Sequence, residues 1–349
     1  MTKQGQRVEG GGRAIQAGRD IVVHAGMSPE QMTEIMVAMG RQLSLYQADA
    51  LKIVEERLAA FQQETMKVFL QRGRANPEAF RDPDFQYLIN DAQQAYVRSG
   101  DTVVRDTLID IIARRSLETD RSRITVTLND AATKAPLLTT NEFAELSLAY
   151  LVRHTRDPQV NGFQSFCAMI ERRLIPFVRD ISREMSSYWH LEAQCCATLE
   201  ISTVELFSTW RAQYAGVLGR GFDRTQLESH LPDGKKNALD TLIIQCLHDT
   251  AKLQPNAMSR DLFRKRAGTS GLTEAEVDNV WNLFENTVPV AGDLIAMLEP
   301  HIAQVKALEK AWNDTPMCHL KLNSVGIAIG HANAVRAIGF APDLGEWIK

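Results

Sequence analysis

Residues 32–53 read MTEIMVAMGRQLSLYQADALKI. Within this stretch Met32, Met36, Met39, Leu43, Tyr46, Ala50 and Ile53 are separated by steps of four, three, four, three, four and three. Such alternation averages 3.5 residues, so every member falls on one seam of a helix. After Ile53 the ladder slips by one position and resumes as Val54, Leu58, Phe61, Thr65 and Val68. An apolar seam of this kind requires a partner helix, and oligomerisation is assigned to it through Met32, Met36, Met39, Leu43 and Tyr46.

The helix carrying the seam has a well-marked start. Ser28 is a capping residue, Pro29 suits the first turn, Glu30 favours the positive end of the dipole, and Gln31 completes a capping box. No strong stop precedes Gly73, which gives about 45 residues, or roughly 65–70 Å at 1.5 Å per residue. Asn76-Pro77 and Asp82-Pro83 then mark a connector. A second helical stretch is expected over 84–118, with Gly100-Asp101 as its point of breakage or kinking, lying antiparallel to the first. Residues 124–128 (ITVTL) read equally as strand or helix. From 141 onward the pattern is dense helix, with stretches expected at about 141–154, 160–186, 190–198, 202–218, 235–252, 258–267, 273–285, 290–312 and 322–337. The fold class is therefore all-α: a coiled-coil-like helical hairpin (28–120), a connector (121–138) and a multi-helix body (139–349), preceded by a short β-forming leader (1–27).

In that leader, residues 13–24 read RAIQAGRDIVVH. Ile15, Ile21 and Val23 are β-branched, and Gly18 suits a tight turn. Two such short strands are marginal alone. The expectation is that leaders from several chains pair at one end of parallel seam helices, so Ile15, Ile21 and Val23 join the oligomerisation set.

Composition bounds the rest. The chain has 349 residues, 44% of them hydrophobic, and a net charge of -4, which argues against bulk nucleic-acid binding. Cys167, Cys195, Cys196, Cys246 and Cys318 are odd in number and include a vicinal pair, which suits reduced thiols in the cytoplasm. The polar-interrupted N-terminal stretch is not expected to be a signal peptide, and no run of about 18 apolar residues suggests a transmembrane helix.

Candidate chemistry is sparse. His190 with Cys195 and Cys196 offers metal-type donors, but the spacing fits no zinc pattern and packing is the preferred reading. His154 is read as a helix-terminal histidine, since no nucleophile motif accompanies it. GVLGRG (216–221) lacks the rest of a phosphate-loop pattern and reads as a helix end and turn. Arg172, Arg179 and Arg183 are spaced seven and four apart on the expected 160–186 helix. They form a candidate patch for an anion or acidic partner, set against a solvated face with Glu171, Asp180 and Glu184 as mates. Residues 258–286 have helix-turn-helix texture, but the second helix carries Glu274, Glu276 and Asp278, which phosphates would repel. Gly326 and Gly330, four apart, suit a close helix–helix approach, and Leu344, Trp347 and Ile348 form an apolar tail expected to dock.

The leader RAIQAGRDIVVHAGMS (13–28), the stretch LTTNEFAELSLAYLVRHT (138–155) and the close SVGIAIGHANAVRAIGF (324–340) together resemble a poorly characterised all-helical bacterial family with a QAG-x-D-I/V leader. The resemblance implies a role in phage defence or stress and brings no catalytic residues with it. The leading expectation is a non-enzymatic homo-oligomeric assembly protein, a sensor or effector with a protein partner from its own pathway. No catalytic residue, metal or cofactor is assigned. The competing expectations are a nucleic-acid binder using the arginine-bearing helices and an enzyme with a dispersed site.

Overall fold

The computed structural model describes residues 29–71, 73–230, 241–340 and 342–348. It is about 68% helical, with only two small two-stranded sheets, and is all-α as expected. The leader residues Ile15, Ile21 and Val23 lie outside the described residues. Two compact units are present, residues 1–56 and residues 57–349.

Helix α1 (Pro29–Leu70) has 42 residues, or about 63 Å. In the first unit, every described side chain from Thr33 to Glu56 is exposed. In the second unit the same helix changes character. Phe61, Thr65 and Phe69 are buried at successive steps of four, one stripe of an α-helix. After a 3-10 turn (Pro77–Arg81), α2 (Pro83–Ser99) runs back antiparallel, setting Tyr96 beside Phe61 and Phe85 beside Phe69 at ring-centroid distances of 6.0 and 6.4 Å.

The expected 84–118 helix is two. Gly100 takes φ 67°, a conformation that ends α2, and the Asp101 carboxylate accepts from Val103 N at 2.7 Å to start α3 (Thr102–Ser116). Residues 121–138, read from sequence as a connector, form α4 (Arg123–Lys134) and a 3-10 turn. Ser122 caps α4, and its buried Ile124, Leu128 and Ala131 pack it against α3, so ITVTL is helix.

Helix α5 (Thr140–His154) starts with a capping box in which Thr139 N donates to Glu142 Oε2 at 2.7 Å. Every residue from Glu142 to Val152 is buried, so α5 is a central helix covered on all sides rather than an amphipathic one. The expected 160–186 helix is shorter and interrupted: α6 (Phe163–Met169), a π segment (Ile170–Leu174) and α7 (Ile175–Val178). Then α8 (Met185–Ala193) ends where Cys195 adopts φ 55°, and Ala197–Leu199 forms strand β1 where helix was expected.

Helices α9 (Leu206–Leu218) and α10 (Arg224–Ser229) follow. Part of the helix expected at 235–252 lies outside the described residues. The rest holds strand β2 (Ile243–Gln245), which pairs antiparallel with β3 (Leu253–Pro255). Next come α11 (Arg260–Ala267) and α12 (Glu274–Glu285), and then α13 (Ala291–Leu298) and α14 (Val305–Asn313) in place of one helix over 290–312. Strand β4 (Leu320–Leu322) pairs antiparallel with β1, Ala197 opposite Leu322. The chain closes with α15 (Ser324–Ile338) and a docked tail in which Leu344 and Ile348 are buried.

The α5–α15 contact organises the second unit. A Cβ on Gly330 would lie 2.6 Å from the Leu146 carbonyl oxygen, and one on Gly326 2.0 Å from that of Cys196. Only glycine permits this approach; Gly330 meets the helix–helix role expected of the pair, whereas Gly326 lies against the turn between α8 and β1. Helices α3 and α4 pack on the other side of α15.

Candidate functional site

Three regions hold what this fold offers for function. The first is the seam on α1. Met36, Met39, Tyr46 and Ile53 are 69%, 59%, 58% and 46% exposed. Ile35, Leu45 and Leu51 beside them are exposed as well. The polar groups of the stretch make only local contacts, such as Gln42 Nε2 to Tyr46 Oη at 2.6 Å.

The second region is a cavity of about 790 Å³ at the C-terminal end of α5. One wall is cationic, with Arg153 and Arg156 from the end of α5 and the turn after it, and Lys265 from α11. The other wall is the tail, with Phe340, Asp343, Glu346 and Trp347. Arg153 Nη2 donates to the Cys318 carbonyl at 2.8 Å, but its Nε is buried without a partner. Arg156 Nη1 donates to Ser259 Oγ at 3.0 Å. Among the described residues none of these three cations meets a carboxylate within ion-pair distance. Two lining residues, His154 and Trp347, belong to an aromatic cluster. The Tyr150 ring stacks on His154 with centroids 6.4 Å apart, and His154 meets the edge of Trp347 at 5.4 Å. The Tyr150 hydroxyl is buried without a partner, and burial with the nearby Glu346 and Asp343 charges raises its pKa. Burial and Arg153 depress the His154 pKa, so this ring is neutral near pH 7. A smaller cavity of about 510 Å³ beside α4 differs in kind. Its buried Arg115 is already paired with Asp82 and Asp84 at 3.1 and 3.0 Å.

The third region is a buried polar cluster between α5 and α8. His190 Nδ1 lies 2.5 Å from Glu142 Oε1. The Glu145 carboxylate accepts from Ser187 Oγ at 2.9 Å and Ser182 N at 3.2 Å, while desolvation pushes its pKa to about 7. These bonds join α5 to α8 and the turn before it, with His190 partly exposed at the edge of the cluster.

The remaining sequence candidates are placed plainly. His190 is engaged by Glu142, and burial pushes the Cys196 thiol up to about 12 while Cys195 is exposed. Among the described residues no group of three or more His, Cys, Asp or Glu side chains is placed to hold a metal. Arg172, Arg179 and Arg183 do not share a helix face. Arg172 lies in the π segment, the helix ends at Val178, and Arg179 and Arg183 follow it, with Arg179 paired to Asp180 at 3.1 Å. In the helix-turn-helix-like segment, Arg264 of α11 makes a two-pronged pair with Asp278 of α12, Nε at 2.9 and Nη2 at 2.8 Å, and Arg260 pairs with Glu285. Two of the four basic side chains of α11 are thus paired with the acidic helix, while Lys265 is not. In GVLGRG, a Cβ on Gly216 would meet the Ala257 carbonyl and one on Gly219 the Phe284 ring, so these glycines serve packing. No described helix is long and apolar enough to cross a membrane.

The α5-end cavity was not legible in the sequence. Its lining comes from 153–158, 213, 265 and 340–347, and no spacing rule links such distant positions.

No curated protein and no solved structure matches the chain. A family model, that of an uncharacterised family, matches residues 26–348. Over nearly its whole length, the chain belongs to that family.

Proposed function

We propose that this protein is a non-enzymatic assembly module that self-associates through α1. The observation that carries the reading is the change of environment along one helix. Phe61, Thr65 and Phe69 are buried in the second unit, whereas Met36, Met39, Tyr46 and Ile53 keep the apolar spacing and stand exposed. A contiguous apolar seam on a soluble protein marks an interaction surface. A 3.5-residue repeat specifies another helix as its occupant, and an identical α1 supplies the matching repeat. The resemblance of residues 13–28, 138–155 and 324–340 to a bacterial family supports placing the module in a defence pathway, with a protein partner there.

The test is mass in solution by light scattering for the full chain and for Met39→Glu/Tyr46→Glu. The wild type is expected to exceed the monomer mass of 39.0 kDa. The double variant is expected to fall to that mass with an unchanged melting temperature, because both side chains are exposed within the subunit. A wild-type monomer at about 100 µM, well above the micromolar range of ordinary association, overturns the reading.

A further inference from the structure

The cavity at the end of α5 has a composition that selects a ligand. Its volume, about 790 Å³, lies in the range of small-molecule sites. Two of its cations are anchored, Arg153 by the Cys318 carbonyl and Arg156 by Ser259, and the exposed Lys265 reaches it from α11. In the rest of this unit, Arg115, Arg173, Arg260 and Arg264 each meet a carboxylate. Arg153, Arg156 and Lys265 line one cavity without an ion-pair partner among the described residues, so an anion brought among them meets charge that no bonded carboxylate has neutralised.

The opposite wall is chemically different. Trp347 is 40% exposed, so its indole is only partly covered by protein. Phe340, also in the lining, is covered on one face by the Arg173 guanidinium, 3.4 Å from the ring centroid. Glu346 supplies an acceptor on this wall. Asp343 is the other carboxylate there, and it faces Arg114 at 3.3 Å. The ligand must therefore carry an anionic end, a planar ring and hydrogen-bond donors on or near that ring. A simple phosphate meets only the first requirement, and a dicarboxylate would be repelled by the tail wall.

The geometry points to a nucleoside phosphate as the ligand of this cavity, with its phosphate among Arg153, Arg156 and Lys265, its base against Trp347, and its amino or hydroxyl donors toward Glu346. Phosphate–guanidinium pairs fix one end, and base–indole stacking fixes the other with little preference among bases. The assignment is independent of the α1 seam, since every lining residue belongs to the second unit.

The experiment is calorimetric titration of the full chain with ATP, AMP, GTP and inorganic phosphate, paired with tryptophan fluorescence. The expected result is binding of one or more nucleotides at about 100 µM or tighter, with phosphate alone at least about tenfold weaker. Lys265→Glu is expected to weaken the nucleotide at least about tenfold, the worth of a charge-assisted contact. Arg156→Gln is expected to do the same, and melting temperature confirms that both variants fold. Trp347→Leu is expected to bring nucleotide and phosphate affinities together and to remove the fluorescence response. Absence of binding by the wild type at about 1 mM of every probe overturns the proposal. So does nucleotide affinity unchanged in a folded Lys265→Glu variant, or inorganic phosphate binding as tightly as any nucleotide.

Discussion

Asn333 donates a 2.7 Å hydrogen bond to the hydroxyl of Ser147, joining α15 to α5 in the interior of the second unit. The same amide donates to the Phe143 carbonyl at 3.1 Å and accepts from Arg336 Nε at 2.9 Å, so its polar atoms are met although the residue is 1% exposed. The bond is possible because Gly330 lets the two backbones come together one turn away. A close approach stripped of water must satisfy its own polar groups, and Asn333 and Ser147 do so.

Replacing Asn333 by leucine is expected to destabilise the protein by about 1–3 kcal/mol, because the buried Ser147 hydroxyl and Phe143 carbonyl lose a donor without access to water. Urea denaturation measures it. The double variant Asn333→Ala/Ser147→Ala is expected to cost less than the sum of the two single changes, as residues sharing one bond are coupled. Strict additivity would show that the bond contributes nothing.

Gly330→Ala sets two effects against each other. Alanine favours the helix by about 1 kcal/mol over glycine. Its Cβ would stand 2.6 Å from the Leu146 carbonyl oxygen, a backbone atom that cannot turn aside. Overpacking of this kind costs about 1–3 kcal/mol, so the net change is expected to be destabilising. Gly292→Ala in α13 has nothing within 4 Å and is the matched control, expected to be neutral or stabilising. Thermal melts of the pair would sink the argument if both moved the same way.

The Glu145 carboxyl gives a signed pH dependence. Burial raises its pKa to about 7 in the folded protein. Between the ordinary carboxylate pKa of about 4.3 and 7, the unfolded chain has lost this proton and the folded chain keeps it. Stability from this group therefore falls as pH rises through that window, by up to about 3 kcal/mol. His331, pushed down to about 4 by burial, acts the other way: its contribution is present above the ordinary histidine pKa of about 6.5 and is lost as pH falls toward 4. The wild-type profile is a partial cancellation, so the difference from a variant is the informative quantity. Glu145→Gln is expected to gain stability relative to wild type as pH rises from about 4.5 to 7. A pH-independent difference in urea midpoint would refute the assignment.

Deleting residues 1–26 tests the leader, which lies outside the described residues. If leaders pair between chains, the truncated protein is expected to show lower mass or a weaker self-association constant with its helical circular dichroism kept. Association unchanged by the truncation would leave α1 alone as the contact.

Much of this fold was written locally. The Gly100-Asp101 break stands where the sequence put it, and the Thr139–Glu142 and Thr273 caps that start α5 and α12 depend, like it, on contacts within about four residues. The Gly326–Gly330 spacing announced a close approach, but what approaches, the Leu146 and Cys196 carbonyls, lies more than a hundred residues away. Where sequence reading placed helix and the structure has strand, at 197–198, the deciding partner is Leu320–Leu322, more than a hundred residues away. A three-residue strand carries no periodicity of its own and exists only because that partner is present.

Sequence by itself determined that the chain is helical, where most helices begin, and that α1 carries an apolar seam, because turns, caps and side-chain period are set by neighbours along the chain. Tertiary structure alone decided where that seam is covered, burying Phe61, Thr65 and Phe69 and leaving Met36, Met39 and Tyr46 exposed. It alone brought Arg153, Arg156, Lys265 and Trp347 to one cavity. Burial and convergence are properties of what the remainder of the chain places beside a residue, and no local pattern encodes them.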